Sequence, residues 1–372
     1  MNRRCAVTTP TSAALSGDVR FFSPLQDVRW DDFVNRHPRS SVFHTSQWLE
    51  ALRRTYGYQP IAVGTCGPDN QITNAYVFCV IKSWLTGHRW VSLPFSDHCE
   101  PLTDDPDCED HILSTVENSL REQSLRYFET RPLDTVCSRV VPASLYESTR
   151  DYCFHRIDLT PDLETLFRNL HKASIQRKIR RAERERLRYE EGNSQHLLDA
   201  FHDLQAITRK HHGLPPQPKA WFQNVLTCVG PAASIRVAYK DELPVASIFT
   251  MRHKDTIVYK YGCSNPHHNN LGGTQLLFWN TIKEAKLDNV KTFDLGRSAF
   301  DNEGLLTFKD RWGASRTTLR YSRVTCSHLP NTAHDMYQAG VTRTDRLAMN
   351  MFSVMPKPLS RAIGALLYRH IG

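Results

Sequence analysis

The chain has 372 residues, of which 40% are hydrophobic, and its formal net charge is +8. This length suffices for two ordinary domains with separate cores. The longest apolar run, residues 75–81, is far too short to cross a bilayer, which excludes a spanning helix there. Residues 1–160 hold 16 Lys and Arg against 20 Asp and Glu, so the positive excess belongs to the second half, where anionic partners are expected.

The ten cysteines form no Cys-x-x-Cys pair and give no zinc or redox signature. In a chain of this length they favour a reducing compartment. Arg3 and Arg4 are not followed by the apolar stretch of a signal peptide. We therefore expect a cytoplasmic protein, either free or in contact with the inner face of the membrane. Adjacent histidine pairs are poor chelators, and no metal site is expected.

In chain order, a loose polar segment over residues 1–20 precedes a first series of helices and strands. The predicted elements are a helix over 40–57, strands over 61–65, 74–81 and 89–95, a helix over 110–125 and a strand over 126–132. A turn rich in Gly, Pro, Asp and Asn separates the first two strands. This order of elements is typical of an α/β or α+β domain.

The second half repeats the same order about 165–175 residues later. Its predicted elements are a helix over 199–213, strands over 234–240, 244–253 and 256–264, a helix over 271–287 and a strand over 291–297. The repetition indicates an internal duplication with a mixed sheet in each copy. We expect lobes at residues 21–150 and 151–325, followed by a helical tail at 326–372.

Two basic segments lie outside the repeated elements. Residues 168–188 hold nine Lys and Arg against two Glu, and a helix over 168–190 is expected, either a solvated face or a phosphate-binding surface. The tail 356–372 forms an amphipathic helix with Leu359, Ile363, Leu366 and Leu367 on its apolar face. This helix either packs on the body of the protein or rests on a membrane surface.

A glycine-rich loop connects the strand over 256–264 to the following helix. The loop contains Asn269, Asn270, Gly272 and Gly273. Glycines before a helix expose backbone N–H groups, and the helix dipole favours an anion there. Asn270, Gly272 and Gly273 are therefore candidates for binding the phosphates of a donor, although glycines also simply permit tight turns.

A lysine lies on an apolar helical face near the end of the second lobe. In the segment "DNEGLLTFKDRWGA", Leu305, Phe308 and Trp312 share one face of a helix, and Lys309 lies on the same face. The preceding strand "FDLGR" delivers Arg297 to its carboxyl end, where ligands gather in open α/β sheets. Lys309 either snorkels to solvent or neutralises charge on a carbonyl or phosphate oxygen.

Several of these segments resemble the Fem peptidyltransferase-like family of the GNAT acyltransferase superfamily. The similar segments are "SSVFHTSQW", "LPFSDHCEPL", "HKASIQRKIRRAERE", "RKHHGLPPQPKAWFQN" and "FDLGRS…GLLTFKDRWGA", of which the last is the most specific. The resemblance covers about residues 25–325, or most of the chain. It implies two tandem GNAT-like lobes and transfer of an acyl or aminoacyl group to an amine.

The resemblance also implies roles for individual residues. Lys309, Arg297 and Asp97 are the expected catalytic residues: Lys309 would stabilise the transferring carbonyl, and Asp97 would act as polar support or a base. Arg209 would hold acceptor phosphates. Arg53 lies near the position of a phosphate-binding lysine, with a spacing one residue different. The expected substrate-binding residues are Arg53, Arg209, Tyr261 and Trp312.

The donor stays open, because the chain departs from the family pattern in two places. The basic stretch is too short for the helical arm of tRNA-dependent relatives, and the glycine loop lacks the usual coenzyme A spacing. No cofactor is expected to stay bound, and acyl-CoA, acyl carrier protein and aminoacyl-tRNA are all candidate donors. The acceptor implied is an anionic or lipid-linked precursor of peptidoglycan, exopolysaccharide or another cell-envelope polymer.

The leading hypothesis is an N-acyltransferase acting on a cell-envelope or exopolysaccharide precursor. One alternative is a tRNA-dependent aminoacyltransferase of the peptidoglycan-precursor type. The other is a non-catalytic protein that binds nucleic acid or a membrane surface through the two basic segments. It would bind polyanions or anionic vesicles without donor turnover.

Overall fold

The computed structural model describes residues 18–133, 146–325, 351–352 and 355–371. Almost all of the segment expected to be loose, and the greater part of 326–356, therefore lie outside the described residues. Arg20, expected to end the loose segment, instead begins a strand. No helix in the described ranges is long and apolar enough to cross a membrane.

Twelve strands form one mixed sheet in the described part of the chain. They are β1 (Arg20–Phe22), β2 (Gln59–Cys66), β3 (Ile72–Ser83), β4 (Gly87–Val91), β5 (Tyr127–Thr130), β6 (Tyr146–Asp158), β7 (Arg188–Gly192), β8 (Ala233–Lys240), β9 (Leu243–His253), β10 (Thr256–Ser264), β11 (Thr292–Ala299) and β12 (Ser315–Thr325). Their order across the sheet is β1-β2-β3-β4-β5-β12-β6-β11-β10-β9-β8-β7. The two expected sheets are thus continuous with each other.

The two halves of the sheet exchange their last strands. β6 follows β5 in the chain but pairs with β11, whereas β12 follows β11 but pairs with β5. β6 and β12 also pair with each other at the centre, antiparallel over ten residue pairs. The duplication therefore appears in space as two matching six-stranded halves, each completed by a strand from the other lobe.

Ten helices accompany the sheet in the described ranges. They are α1 (Arg29–Arg36), α2 (Ser46–Tyr56), α3 (Pro106–Glu122), α4 (Leu163–Asn169), α5 (Arg177–Arg184), α6 (Gln195–His211), α7 (Lys219–Val229), α8 (Gly273–Leu287), α9 (Glu303–Asp310) and α10 (Lys357–Ile371). On one face, a continuous core joins both lobes through α2 and α7, where Trp48 and Trp221 meet edge to face at 5.0 Å. On the other face, α3 and α8 cover separate cores.

Each half contains one parallel strand pair, and both pairs are short. β4 and β5 pair over three residues, as do β10 and β11, with the last pair joining Val258 and Asp294. Beyond this point β10 continues along β9 while β11 continues along β6, past an irregularity between Asp294 and Gly296. The carboxyl ends of β10 and β11 therefore separate, and this opening positions the candidate site.

The structure corrects the expected basic helix over 168–190. α4 ends at Asn169, Lys172–Gln176 forms a π-helical turn, α5 follows, and the chain then enters the edge strand β7. Arg186 has a positive φ of 52°, which ends the helical path two residues before β7. The nine basic residues thus spread over several elements and do not share one helical face.

The tail helix α10 packs on the body, but not through the expected face. Tyr368 and Gly364 are buried in the contact, while Leu359 and Leu366 are 52% and 59% exposed. A side chain at residue 364 would reach 2.2 Å from the Pro216 carbonyl oxygen, so glycine allows this close approach. The Tyr58 hydroxyl donates to backbone carbonyls of α10 at 3.1 Å.

Candidate functional site

The loop that follows β4 carries backbone strain at two positions. Leu93 and Phe95 both have φ of 61°, a region that residues other than glycine rarely adopt. The Arg131 guanidinium donates to the Leu93 carbonyl at 2.8 Å, and the Ser96 hydroxyl donates to the same oxygen at 2.7 Å. Such strain persists only where its surroundings fix it, and it concentrates at functional sites.

This loop places Asp97 in the opening between β10 and β11. Its carboxylate accepts a hydrogen bond from Lys260 Nζ at 2.8 Å and lies 3.8 Å from Arg297 Nε. Burial alone would raise the pKa of Asp97, but Lys260 and Arg297 outweigh burial and hold this pKa below its usual range. We call Asp97, Lys260, Arg297 and Lys309 the interlobe site, because the first lobe contributes the carboxylate and the second the three cations.

Gly296 allows the carboxylate to approach the backbone of β11. Its φ is +69°, and a Cβ added there would lie 2.9 Å from Asp97 Oδ2. Any other residue would be strained and would collide with the carboxylate. The Gly296 N–H donates to Asp294 Oδ1 at 2.6 Å, which fixes the irregular backbone. The glycine of "FDLGR" is therefore required by the site's geometry.

Lys309 lies inside the protein and does not snorkel. Only 2% of the residue is exposed, and its ammonium donates to the carbonyls of Gly296 at 2.9 Å and Arg297 at 3.1 Å. Burial lowers the pKa of Lys309 to about 8, although the negative charges of Asp97 and Asp294 act in the opposite direction. An ammonium has three donors, so two hold the backbone of β11 and one is left for a ligand.

Arg297 is held between aromatic rings at the same strand end. Its guanidinium carbon lies 4.2 Å from the ring centre of Tyr152 and 4.9 Å from that of Tyr321. The Tyr321 hydroxyl in turn donates to the Asp97 carbonyl at 2.6 Å. The three residues expected to be catalytic, Asp97, Arg297 and Lys309, are thus brought together in space.

The amino end of α8 opens beside the carboxyl end of β10. Gly272 has φ of +84° and no side chain caps the helix, so the first backbone N–H groups have no side-chain acceptor. The loop packs on α5, where Lys178 Nζ donates to the Asn269 carbonyl at 3.4 Å. Burial lowers the pKa of Lys178, as do the nearby charges of Arg177 and Arg311. Free N–H groups, a helix dipole and clustered cations favour a phosphate-bearing ligand.

Residues 169–310, from the end of α4 to the end of α9, match the family model described as an acetyltransferase (GNAT) domain. This segment contains β10, β11, the glycine loop, Lys260, Arg297 and Lys309. The second lobe is therefore similar to a GNAT-type acetyltransferase domain over residues 169–310. No curated protein matches the sequence.

Solved structures extend the GNAT likeness to both lobes. FemX aligns with a TM-score of 0.63 at 13% identity, covering 78% of this chain and 94% of that one. A tandem GNAT protein of the clavulanic acid biosynthesis pathway aligns at 0.52 and 9% identity, covering 83% and 98%. The C-terminal domain of a putative lysylphosphatidylglycerol synthetase from Agrobacterium fabrum aligns at 0.54 and 14% identity, covering 80% and 90%. The expected tandem GNAT-like architecture is confirmed.

The residues expected to bind substrate are dispersed around the GNAT domain. Arg53 lies on the surface of α2, where it pairs with Glu50 at 2.7 Å. Arg209 donates to the Pro215 carbonyl at 3.3 Å and contacts Tyr368 of the tail. Neither arginine reaches the interlobe site in the described contacts, and their binding roles stay predictions.

The two aromatic candidates are engaged by neighbouring side chains. The Tyr261 hydroxyl accepts a hydrogen bond from Trp221 Nε1 at 2.9 Å. Trp312 is 1% exposed and stacks on Phe278 at 5.0 Å in the core beneath α8. This placement favours a packing role for Trp312 over contact with a substrate.

Sequence reasoning missed three residues that the structure places at or beside the interlobe site. Lys260 and Asp294 lie on the separated strands, and His98 follows Asp97 in the strained loop. His98 Nε2 and Asp294 Oδ2 are 2.9 Å apart, and both residues are buried. The sequence did mark the three segments that contain these residues, namely "LPFSDHCEPL", "YKYGCS" and "FDLGR". It did not show that the segments contact one another, because the first belongs to one lobe and the other two to the other lobe.

Proposed function

We propose that this protein is an N-acyltransferase that moves an acyl or aminoacyl group to the amine of a cell-envelope or exopolysaccharide precursor. The observation that carries the proposal is the buried ammonium of Lys309 beside Asp97 and Arg297, at the separated ends of β10 and β11. Fixed positive charge in a water-poor site stabilises an oxyanion far better than solvent does. The GNAT domain supports acyl transfer as the reaction class.

The reaction follows from direct attack. The acceptor amine forms a C–N bond to the carbonyl carbon of a thioester or ester, and negative charge collects on the carbonyl oxygen. The remaining N–H of Lys309 donates to that oxygen while its other two donors stay on the carbonyls of Gly296 and Arg297. The C–S or C–O bond then breaks, the amine loses a proton, and the leaving group gains one. No covalent enzyme intermediate is needed.

The donor binds through its phosphates at the amino end of α8. Gly272 and Gly273 present backbone N–H groups, and Lys178 with Arg177 adds positive charge. GNAT enzymes draw on acyl-CoA, whose pyrophosphate suits this surface. Acyl carrier protein and aminoacyl-tRNA carry phosphates too, and they remain candidate donors of the same chemistry.

Offering each donor separately tests the proposal. Purified protein is incubated with acetyl-CoA, acyl carrier protein carrying an acyl group, or aminoacyl-tRNA, together with a mixture of amine acceptors. Loss of the group from one donor, with an amide appearing on an acceptor, is the expected result. RNase treatment that leaves transfer intact excludes the tRNA-dependent alternative. A protein that binds polyanions but turns over no donor would contradict the proposal.

Peripheral contact with a membrane would bring the enzyme to a lipid-linked acceptor. Leu359 and Leu366 of α10 are exposed, and Trp84 near the same end of the protein is 84% exposed. Arg369 and Lys82 border the same surface, which suits an anionic bilayer. Vesicles containing phosphatidylglycerol should retain the protein, and Leu366→Gln should weaken retention more than the distant surface change Leu243→Gln. Equal retention of both variants would contradict the membrane contact.

A further inference from the structure

His98, which follows Asp97 in the strained loop, forms a buried pair with Asp294 of β11. His98 Nε2 lies 2.9 Å from Asp294 Oδ2, while Oδ1 of the same carboxylate accepts the Gly296 N–H at 2.6 Å. Both carboxylate oxygens are therefore occupied, and the imidazole donates from Nε2. This leaves Nδ1 as an acceptor, the tautomer that a general base requires.

The His98 ring is also fixed in orientation. It meets Phe43 and Phe154 edge to face, each at 5.3 Å between ring centres. The residue is 5% exposed, and Nδ1 has no hydrogen-bond partner among the described residues. A buried polar atom that lacks a partner loses free energy, so a ligand group that reached Nδ1 would supply the missing hydrogen bond.

A pocket of about 330 Å³ adjoins this pair on the face of the sheet that carries α1 and α2. His98, Asp294 and Phe154 form part of its lining, together with the segment Pro38–Val42. Its size is at the lower end of the range for small-molecule sites. The β11 strand separates this pocket from the core beneath α8, so a ligand here would approach the strand from the face opposite that helix.

Charge is arranged unequally within the pocket. Asp294 and Glu100 are buried in its lining and favour a cationic amine. Arg156, the cross-strand neighbour of Asp294 on β6, is exposed and forms no ion pair in the described part of the chain. Arg39 is also part of the lining, 3.6 Å from Glu100. The Arg156 guanidinium lies 6.0 Å from the centre of the Phe154 ring, and a guanidinium without a carboxylate partner is a binding group for carboxylate or phosphate.

We propose that this pocket is the acceptor site, that it takes a small primary amine bearing an anionic group, and that His98 is the general base. The inference rests on the proposed acyl transfer. The acceptor's anionic group binds Arg156, and its amine faces His98. The bound ammonium first releases one proton to solvent, and as the neutral amine then forms the C–N bond, Nδ1 of His98 takes a second proton from it. As the C–S or C–O bond breaks, the imidazolium gives that proton to the leaving thiolate or alkoxide, so the histidine ends unchanged.

Acceptor binding tests the pocket without any donor. Isothermal titration uses glucosamine 6-phosphate and L-lysine as probes for phosphate and carboxylate, with glucosamine and glucose 6-phosphate as probes lacking one group each. At least one of the first two should bind, and Arg156→Ala should weaken it about tenfold or more. Arg320→Ala, an exposed strand arginine paired with Asp151 outside the pocket, should not. Equal affinity in both variants would overturn the pocket assignment.

The base is tested separately, with whichever donor the wild-type protein uses. Asp294→Asn keeps an oxygen for the Gly296 N–H but presents an amide to His98, which moves the imidazole proton to Nδ1. Transfer should fall by about 10²-fold or more in kcat at saturating acceptor, and the acceptor should also bind more weakly because the variant removes a carboxylate from the pocket lining. Nitrogen NMR shifts of His98 should report the exchanged tautomer. If Asp294→Asn shows the exchanged tautomer of His98 and keeps the full kcat, His98 is not the general base.

Chemical rescue distinguishes the loss of a general base from a defect in folding. His98→Ala should lose transfer and regain part of it when imidazole is added, whereas a purely structural histidine would give no imidazole dependence. Failure of the wild-type protein to use any donor would contradict the proposed function and leave the binding result to decide the pocket. Donor turnover with an unaffected His98→Ala protein would instead contradict the base alone.

Discussion

The two halves of the sheet differ most at the helix that connects the two strands of the parallel pair, α3 between β4 and β5 and α8 between β10 and β11. In the first half, α3 is capped by Asp105, whose side chain accepts from the Asp107 N–H, and its first turn carries Asp107 and Glu109. In the second half, α8 begins at Gly272 with no side-chain cap and with Lys178 nearby. An acidic first turn satisfies the helix end internally and repels anions, whereas the uncapped end stays available to them.

In the first half, the loop between the parallel strand β4 and the helix α3 contributes side chains to the site of the second half. Residues 92–105 form a long, largely buried loop that carries Asp97 and His98 into the opening of the second half. One copy of the duplicated unit thus leaves its helix end uncapped, and the other supplies side chains to its neighbour. The buried triad Arg131–Glu129–Arg323 anchors this loop where the first half's own opening would lie.

Removing the carboxylate that joins the halves should have the largest effect. Asp97→Ala leaves Lys260 and Arg297 without their shared anion in a buried setting, and we expect a loss of about 3–5 kcal/mol in the free energy of unfolding. Urea denaturation measures it. Asp69→Ala, in the exposed turn after β2, is the matched control and should change stability by less than about 0.5 kcal/mol.

The substitution Lys309→Met separates the contribution of the ammonium charge to transfer from the contribution of the side chain to packing. The variant keeps an unbranched apolar side chain at this buried position but loses the ammonium, so transfer should fall by about 10²–10³-fold while the protein stays folded. Steady-state kinetics with the identified donor measure this. Lys291→Met, on an exposed residue paired with Asp255, is the control. Full activity in Lys309→Met would contradict the assignment of the ammonium to the oxyanion.

The sequence predicts many helices and strands of both halves, because the local pattern of polar and apolar residues reflects secondary structure. The predicted strands over 234–240 and 256–264 and the helix over 271–287 lie within two residues of β8, β10 and α8. The duplicated order predicted tandem lobes, and helical spacing drew attention to Lys309. Burial of the lysine decides against snorkelling, a choice that spacing alone could not make.

The features that could not be predicted from the sequence depend on contacts between segments that are far apart in the chain. The central strands β6 and β12 were not predicted, because their pairing partners lie in the other lobe and exchange is invisible to local pattern. His98 and Asp294, 196 residues apart, gave no shared signal. The predicted helix over 168–190 was wrong because the prediction rested on the density of basic residues. That density carries no information about the positive φ at Arg186, which ends the helical path.

The pH dependence of stability gives a smaller effect with a definite sign. The pKa of Lys309 is about 8 in the folded protein, against an ordinary value of 10.5. Between these values the unfolded chain binds more protons, so stability from this group rises with pH across that window, by about 3 kcal/mol in all. Burial is the main cause of the lowered pKa and Lys260 adds to it, whereas Asp97, Asp294 and Cys153 act to raise the pKa.

Denaturant titrations at pH 7.5 and pH 10 compare the wild-type protein with Lys309→Met, and roughly this pH increment should be missing from the variant. Groups far from residue 309 contribute equally to both proteins, so the difference between the two pH slopes reports on residue 309 and its immediate neighbours. An identical pH slope in both proteins would contradict a lowered pKa.

The smallest effect should come from the helix end that the first half keeps closed. Asp105→Ala removes the cap of α3, which we expect to cost about 1 kcal/mol of stability. Donor affinity should be unchanged, because the first half's helix end does not bind the donor. Gly272→Ala makes the converse change at α8: its Cβ would lie 2.3 Å from the Lys178 carbonyl oxygen, and donor affinity should fall. Tighter donor binding in Asp105→Ala would show that the first half's helix end also binds anions, and the proposed difference between the two halves would be wrong.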